Sequence, residues 1–128
     1  MTKRVLDVGN CVPDHTALTQ FLASQFGCEV LQADGGDDAL ALLAKGDVDL
    51  VLVNRKLDMD YSDGIEVIRR MKADAKAADV PVMLITNYPE HQDAAEVLGA
   101  LRGFGKLEYQ KPETLQRLES VLGRPADR

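Results

Sequence analysis

One stretch constrains this chain more than any other: Asp49-Leu-Val-Leu-Val-Asn54, an acid leading into four apolar residues and then a polar one. A polar loop follows, then Gly64 and a helical pattern. A short apolar run in that setting reads as a strand buried on both faces of a parallel sheet. It delivers one side chain, Asn54, to the carboxyl edge, where ligands and chemistry collect in open α/β folds.

The rest of the chain repeats the theme. Val5-Leu-Asp-Val8 is a first strand with an acid inside it, ending at Gly9-Asn10. Pro13-Asp14 opens a helix carried by Leu18, Phe21, Leu22 and Phe26 and stopped by Gly27. Cys28 to Ala33 forms the second strand. Gly35-Gly36-Asp37 turns into a helix with Ala39, Leu40, Leu42 and Leu43 facing inward, ended by Gly46. A third helix starts near Asp63-Gly64 and buries Ile65, Ile68 and Met71. Val80 to Thr86 is the fourth strand, with Pro81 at its start, where a missing N–H matters least. The pattern predicts a fourth helix from Glu90 to Leu101 with Ala94, Val97, Leu98 and Leu101 as its apolar stripe. It predicts a fifth strand at Leu107-Glu-Tyr-Gln110, ending at Lys111-Pro112. A last helix carries Leu115, Leu118, Val121 and Leu122, and Gly123 closes it.

Strands alternating with helices in this way imply right-handed crossovers and a doubly wound parallel sheet with helices on both faces. At this length the expected architecture is flavodoxin-like, five strands in the order 2-1-3-4-5. One domain is expected over residues 1–123, with a frayed tail at 124–128. The net charge of -6 and pI near 4.8 argue against non-specific nucleic-acid binding, which needs a basic face. Two cysteines, Cys11 and Cys28, are too few for a disulfide framework. Asp7 and Asn10 interrupt the N-terminal apolar run too soon for a signal peptide, and no run approaches the roughly 20 residues that span a bilayer. A reduced, cytoplasmic protein is expected.

At this point the chain resembles, over nearly its whole length, the receiver domain of bacterial two-component response regulators. Four pieces carry the resemblance, in order: Asp49-Leu-Val-Leu-Val-Asn54, Asp63-Gly64 leading into a helix, Pro81-Val-Met-Leu-Ile-Thr86, and Lys111-Pro112. The family places two acids after the first strand to hold magnesium; Gly9 and Asn10 stand there. It places a nucleophilic Asp at the end of the third strand; Asn54 stands there. Carried over by resemblance, only Thr86 and Lys111 remain as functional equivalents. The loop from Asn54 to Gly64 is also longer than the family's and lacks its Pro.

These departures have a chemical meaning. Phosphoryl transfer to a carboxylate needs an anionic nucleophile and a cation to neutralise developing charge, and magnesium prefers hard, charged oxygen ligands. An asparagine is a poor nucleophile, and Gly9 offers no ligand. The expectation is a pseudo-receiver with no cofactor, no magnesium site and no enzymatic activity, in which Asn54→Asp alone restores nothing. Lys111, without anionic neighbours, is expected to pair with Asp7, Asp58 or Asp60.

Other features are weighed against blander readings. Asn54 reads as a hydrogen-bonding residue closing its loop rather than as a deamidation site, since Arg55 follows it. Asp58, Asp60 and Asp63 read as a solvated acidic loop with Asp63 capping a helix, against a calcium loop whose spacing to Gly64 is wrong. Asp58 or Asp60 remains open as a substitute acceptor. Cys11 and His15 stand four apart, a thiol and an imidazole without an evident third group. His91 is expected to be exposed. Tyr109 reads as a core-facing or helix-facing aromatic, against a switch aromatic of the family's kind.

Function is therefore expected to be phosphorylation-independent protein binding in a phosphorelay-type pathway. By resemblance the surface is the fourth helix, fifth strand and fifth helix, from Glu90 through Gly123. Glu96, Arg102, Glu108, Tyr109, Gln116, Arg117 and Glu119 are its candidates. With no output domain in the sequence, output is expected through a partner or a homodimer, with neither nucleic acid nor membrane involved. The alternatives are a small-ligand sensor, or a small α/β enzyme using Cys11, His15, Thr86 and Lys111.

Overall fold

Parallel pairing runs through the whole sheet of this computed structural model, which describes residues 2–123; the expected tail at 124–128 lies outside the described residues. The strands are β1 (Arg4–Val8), β2 (Glu29–Ala33), β3 (Leu50–Asn54), β4 (Val82–Ile85) and β5 (Leu101–Phe104). The helices are α1 (Val12–Phe26), α2 (Gly36–Ala44), α3 (Gly64–Lys72), α4 (Pro89–Val97) and α5 (Pro112–Leu122). The sheet order is β2-β1-β3-β4-β5, the flavodoxin-like order expected.

Alternation along each strand divides the core in two. Leu6, Val8, Val51, Val53, Val82 and Leu84 face the layer completed by α2, α3 and α4. Val5, Leu50, Leu52, Met83 and Ile85 face the layer of α1 and α5. The β3 run is buried on both faces because both layers cover it. Asp7 is in register with Leu52 of β3. It therefore turns a carboxylate toward α1 and α5, where its neighbours turn hydrocarbon.

Two elements depart from expectation. The fifth strand is Leu101–Phe104, not Leu107–Gln110. Phe104 is fully buried, whereas Leu107 is 86% exposed. Burying a Phe side chain is worth about 1.5–3 kcal/mol, so the hydrocarbon that reaches the core selects the strand. The fourth helix ends at Val97, and its inward face is Gln92 and Ala95; Val97, expected inside, is 87% exposed. Gln92 is buried because it bonds the sheet edge. Its Nε2 donates to Leu84 O (2.9 Å) and Thr86 O (3.3 Å), and its Oε1 accepts from Gly103 N (2.8 Å). A polar side chain thus clamps α4 to β4 and β5, where the β4–β5 register shifts between Met83 and Ile85.

Candidate functional site

Asn54 ends β3 half-buried, and its Nδ2 donates to Lys56 O at 2.7 Å. The loop beyond it folds on itself. Leu57 N donates to Ser62 O (2.9 Å), Tyr61 N to Leu57 O (2.7 Å), and Gly64 N to Arg55 O (2.7 Å). Gly64 is required at the return, because a Cβ there would overlap Asn54 O. Asp63 caps α3 as expected, its Oδ1 accepting from Ile65 N at 3.0 Å. Asp60 accepts from Ser62 N and Oγ (2.9 and 2.6 Å), which lowers its pKa.

Across from this loop, Gly9 has a φ of +82°, a conformation that favours glycine. Asp58 N donates to Gly9 O at 2.8 Å. A Cβ on Gly9 would overlap Leu57 Cδ2, and Leu57 is buried, 3% exposed. Hydrocarbon from the long loop fills the space a side chain at position 9 would need. Asn10, also buried, turns inward and donates from Nδ2 to Asp7 Oδ1 at 2.6 Å. The three positions where the resemblance places acids thus hold a glycine and two amides, and each amide already bonds a neighbour within the chain.

Beside Asn54 lies an open cleft of about 240 Å³ between the ends of β3 and β4. Arg55, Lys56, Thr86, His91 and Lys106 line it with Asn54, and Ile85, Asn87 and Tyr88 complete it. Thr86 Oγ1 accepts from Tyr88 N (3.3 Å) and lies 3.3 Å from His91 Nδ1. The lysine of this cleft is Lys106, not Lys111. Because β5 lies earlier than expected, Lys106 follows the strand end. Lys111 instead caps the start of α5, its Nζ 3.4 Å from Glu108 Oε2. It pairs with none of Asp7, Asp58 and Asp60. Sequence reasoning missed Lys106, displaced by the boundary of β5, although Gly105-Lys106 directly after Phe104 was the available signal; His91, expected to be exposed, is half-buried at the start of α4.

Lys106 Nζ bonds Asp14 Oδ2 at 2.5 Å, and this bond chiefly holds the Asp14 carboxyl below the usual range. Deeper, His15 Nδ1 meets Asp7 Oδ2 at 2.7 Å, and Asp7 is wholly buried. Burial pushes the Asp7 carboxyl up, with the His15 and Asn10 bonds pulling against it. The imidazole thus faces a buried carboxyl group. The Cys11 thiol also helps to hold the Asp14 carboxyl down. Tyr109 lies outside any strand, half-buried, stacked on Phe21 with centroids 4.8 Å apart and edge-on to Phe104 at 5.9 Å. Burial pushes its phenol up to about 12, with the charges of Asp14 and Asp7 adding.

On the face of α4, β5 and α5, several candidate surface charges are committed within the chain. Arg102 Nη1 donates to Asp93 Oδ1 (2.7 Å) and Glu96 Oε2 (3.0 Å), fastening β5 to α4. Arg117 Nη1 donates to Gly103 O at 3.0 Å, and Glu108 Oε1 accepts from Gly105 N at 2.7 Å. Gln116 is exposed and Glu119 half-buried. Val97 and Leu101 add exposed hydrocarbon. No helix among the described residues is long and apolar enough to cross a membrane.

A parallel sheet in this order, with a cleft at the ends of β3 and β4 holding a hydroxyl and a lysine, defines a receiver-type signalling domain. Residues 12–122 match the family model of the response regulator receiver domain, and the chain belongs to that family of two-component signalling domains. It is 32% identical over 99 residues to a chemotaxis protein CheY homolog of Campylobacter jejuni, covering 74% of this chain and 73% of that protein. It is 29% identical over 100 residues to protein PilH of Pseudomonas aeruginosa, covering 78% of each. A putative response regulator from Chloroflexus aurantiacus superposes with a TM-score of 0.81 at 22% identity, covering 97% of this chain and all 100% of that one; at that identity the likeness concerns the fold.

Proposed function

We propose that this receiver works without phosphorylation, as a protein-docking domain over residues 1–123 of a cytoplasmic signalling protein, with no enzymatic activity of its own. The observation that carries the reading is the packing of Leu57 against Gly9. It supports a site rebuilt around hydrocarbon rather than one that lost single charges. Magnesium fits poorly there. Gly9 has no ligating side chain, and Asn10 and Asn54, whose Nδ2 groups bond Asp7 and Lys56 O, offer only neutral amide oxygens where magnesium prefers charged ones. Asn54 in this reading is a neutral residue that closes its loop. Among the described residues no cluster of carboxylates able to hold a metal lies beside Asp58 or Asp60, which argues against either as a substitute acceptor.

Docking is assigned to the face of α4, β5 and α5. The bonds of Arg102 and Arg117 make that face rigid, and the exposed Val97 and Leu101 offer it apolar contact. The bound species is a protein partner or a second copy of the chain. The test is incubation with acetyl phosphate and magnesium, followed by intact-mass measurement, with a parallel titration of magnesium and beryllofluoride. No mass adduct and no spectral change are expected. A stable acyl phosphate on any Asp would overturn the proposal.

A further inference from the structure

We propose that the groove where the β3–α3 loop meets α3 and the start of α2 docks a basic, apolar segment of a partner protein, by seating one of its arginine side chains. The groove measures about 280 Å³. It shares no lining residue with the cleft at the ends of β3 and β4, and none with α4, β5 or α5. Docking here is therefore additional to that assigned to the α4 face, and it does not depend on whether position 54 carries a phosphoryl group.

Two kinds of surface meet in this groove. Leu57, Met59 and Val67 line it with hydrocarbon. Leu57 and Val67 belong to the core, whereas Met59 is 63% exposed, and a flexible thioether adapts to irregular partners. With them stand five carboxylates, Asp37, Asp38, Asp60, Asp63 and Glu66, against one guanidinium, that of Arg70. Helix ends explain part of this charge: Asp37 and Asp38 lie in the first turn of α2, and Asp63 caps α3, where the dipole favours an anion. They do not explain Asp60, which stands in the loop.

The chain itself shows how an arginine sits on this surface. Arg70 Nη2 donates to Asp37 Oδ1 at 2.6 Å, and a Cβ on Gly36 would overlap Arg70 Nη1, so the guanidinium lies against the glycine backbone. Glu66 pairs with Arg69 at 3.3 Å, and Asp63 with Arg55 at 3.8 Å. Asp38 and Asp60 are left without a cation among the described residues; their carboxylates accept only from Asp34 N and from Ser62. An arginine from a partner lays its aliphatic stem on apolar surface and keeps its head at a charged rim, and its planar, weakly hydrated guanidinium suits interface ion pairs. An acidic segment would be repelled, and a purely apolar one would desolvate both carboxylates without pairing them. The volume falls below the roughly 300–1,000 Å³ of sites for drug-sized ligands, which fits a single inserted side chain.

The test is an NMR titration of the full chain with capped Leu-Arg-Leu and Leu-Glu-Leu tripeptides at low and high chloride. With Leu-Arg-Leu, saturable shifts are expected at the amides of Gly35, Gly36, Met59 and Ser62, weakening as salt rises. With Leu-Glu-Leu none are expected. Asp38→Asn and Asp60→Asn should each weaken binding roughly twofold to fivefold, the range for one exposed ion pair, and Met59→Ser should weaken it as well. Asp79→Asn, which removes a carboxylate outside the groove, should leave the affinity unchanged. All four positions are exposed, so the variants keep the fold. Shifts that do not saturate, shifts centred on α4, β5 and α5, an equal response to both peptides, or an affinity lowered as much by Asp79→Asn as by Asp60→Asn would each overturn the proposal.

Discussion

Lys106 Nζ lies 2.5 Å from Asp14 Oδ2, so the ammonium group lining the cleft is anchored to α1 and not to the end of β3. Both side chains are slightly more than one-third exposed, at 34% and 38%, and solvent screening limits the pair to about 1 kcal/mol or less. The Asp14 carboxyl is held low chiefly by Lys106. Its contribution is therefore present above the ordinary carboxylate value of 3.8 and lost as pH falls through the lowered one. In Lys106→Met that acid-side loss should shrink. Urea denaturation between pH 2 and 6, on wild type and on a double-mutant cycle with Asp14→Asn, measures it.

The sign reverses at Asp7. Burial raises this carboxyl above 3.8, so the folded state binds its proton more tightly than the unfolded state. The associated stability is full below 3.8 and disappears as pH rises through the raised value. Asp7→Asn keeps partners for Asn10 and His15 without the buried charge. It should raise the melting temperature at pH 7 and flatten the pH dependence above 3.8. A lower melting temperature at pH 7 would contradict this account of Asp7.

Gln92 serves three backbone groups at the β4–β5 edge. Gln92→Ala leaves Gly103 N–H without its acceptor in a buried setting, which costs about 1–3 kcal/mol. Amide exchange at Gly103 should accelerate more than exchange in β1. Equal acceleration at both sites would mean global destabilisation without a local clamp.

Restoring charge should not restore the metal. In Gly9→Asp/Asn10→Asp/Asn54→Asp, the new side chain at position 9 meets Leu57 on a backbone with φ of +82°. The left-handed conformation costs about 1–2 kcal/mol, and overpacking typically about 1–3 more. Lower stability by urea denaturation and no magnesium-dependent shift are expected. Adding Leu57→Ala should relieve the overlap and recover part of the stability.

Much of the fold was legible because hydrophobic period reports burial. The β3 run announced a strand covered on both faces, and that fixed Asn54, Gly9, Asn10 and Thr86 at one sheet edge. The period failed where burial is not hydrophobic. Gln92 is inside because it bonds backbone, so the stripe through Ala94 and Val97 indicated the wrong face of α4. The β5 strand holds an Arg and a Gly between Leu101 and Phe104 and does not alternate, whereas the surface segment Leu107 to Gln110 does. Placing the strand there carried the lysine assignment from Lys106 to Lys111. The Asp7–His15 contact spans a strand end and a helix, and no local pattern in the sequence encodes it.

Leu57 also determines which mutational routes remain open to this chain. An acid introduced at position 9 meets hydrocarbon before it meets any ion, and one introduced at position 54 gains no metal-holding neighbour among the described residues. Each step toward the charged arrangement is unrewarded until the loop has also changed. On the proposed reading the packing works as a ratchet: Leu57, seated where a side chain at position 9 would lie, makes the neutral arrangement hard to leave one substitution at a time.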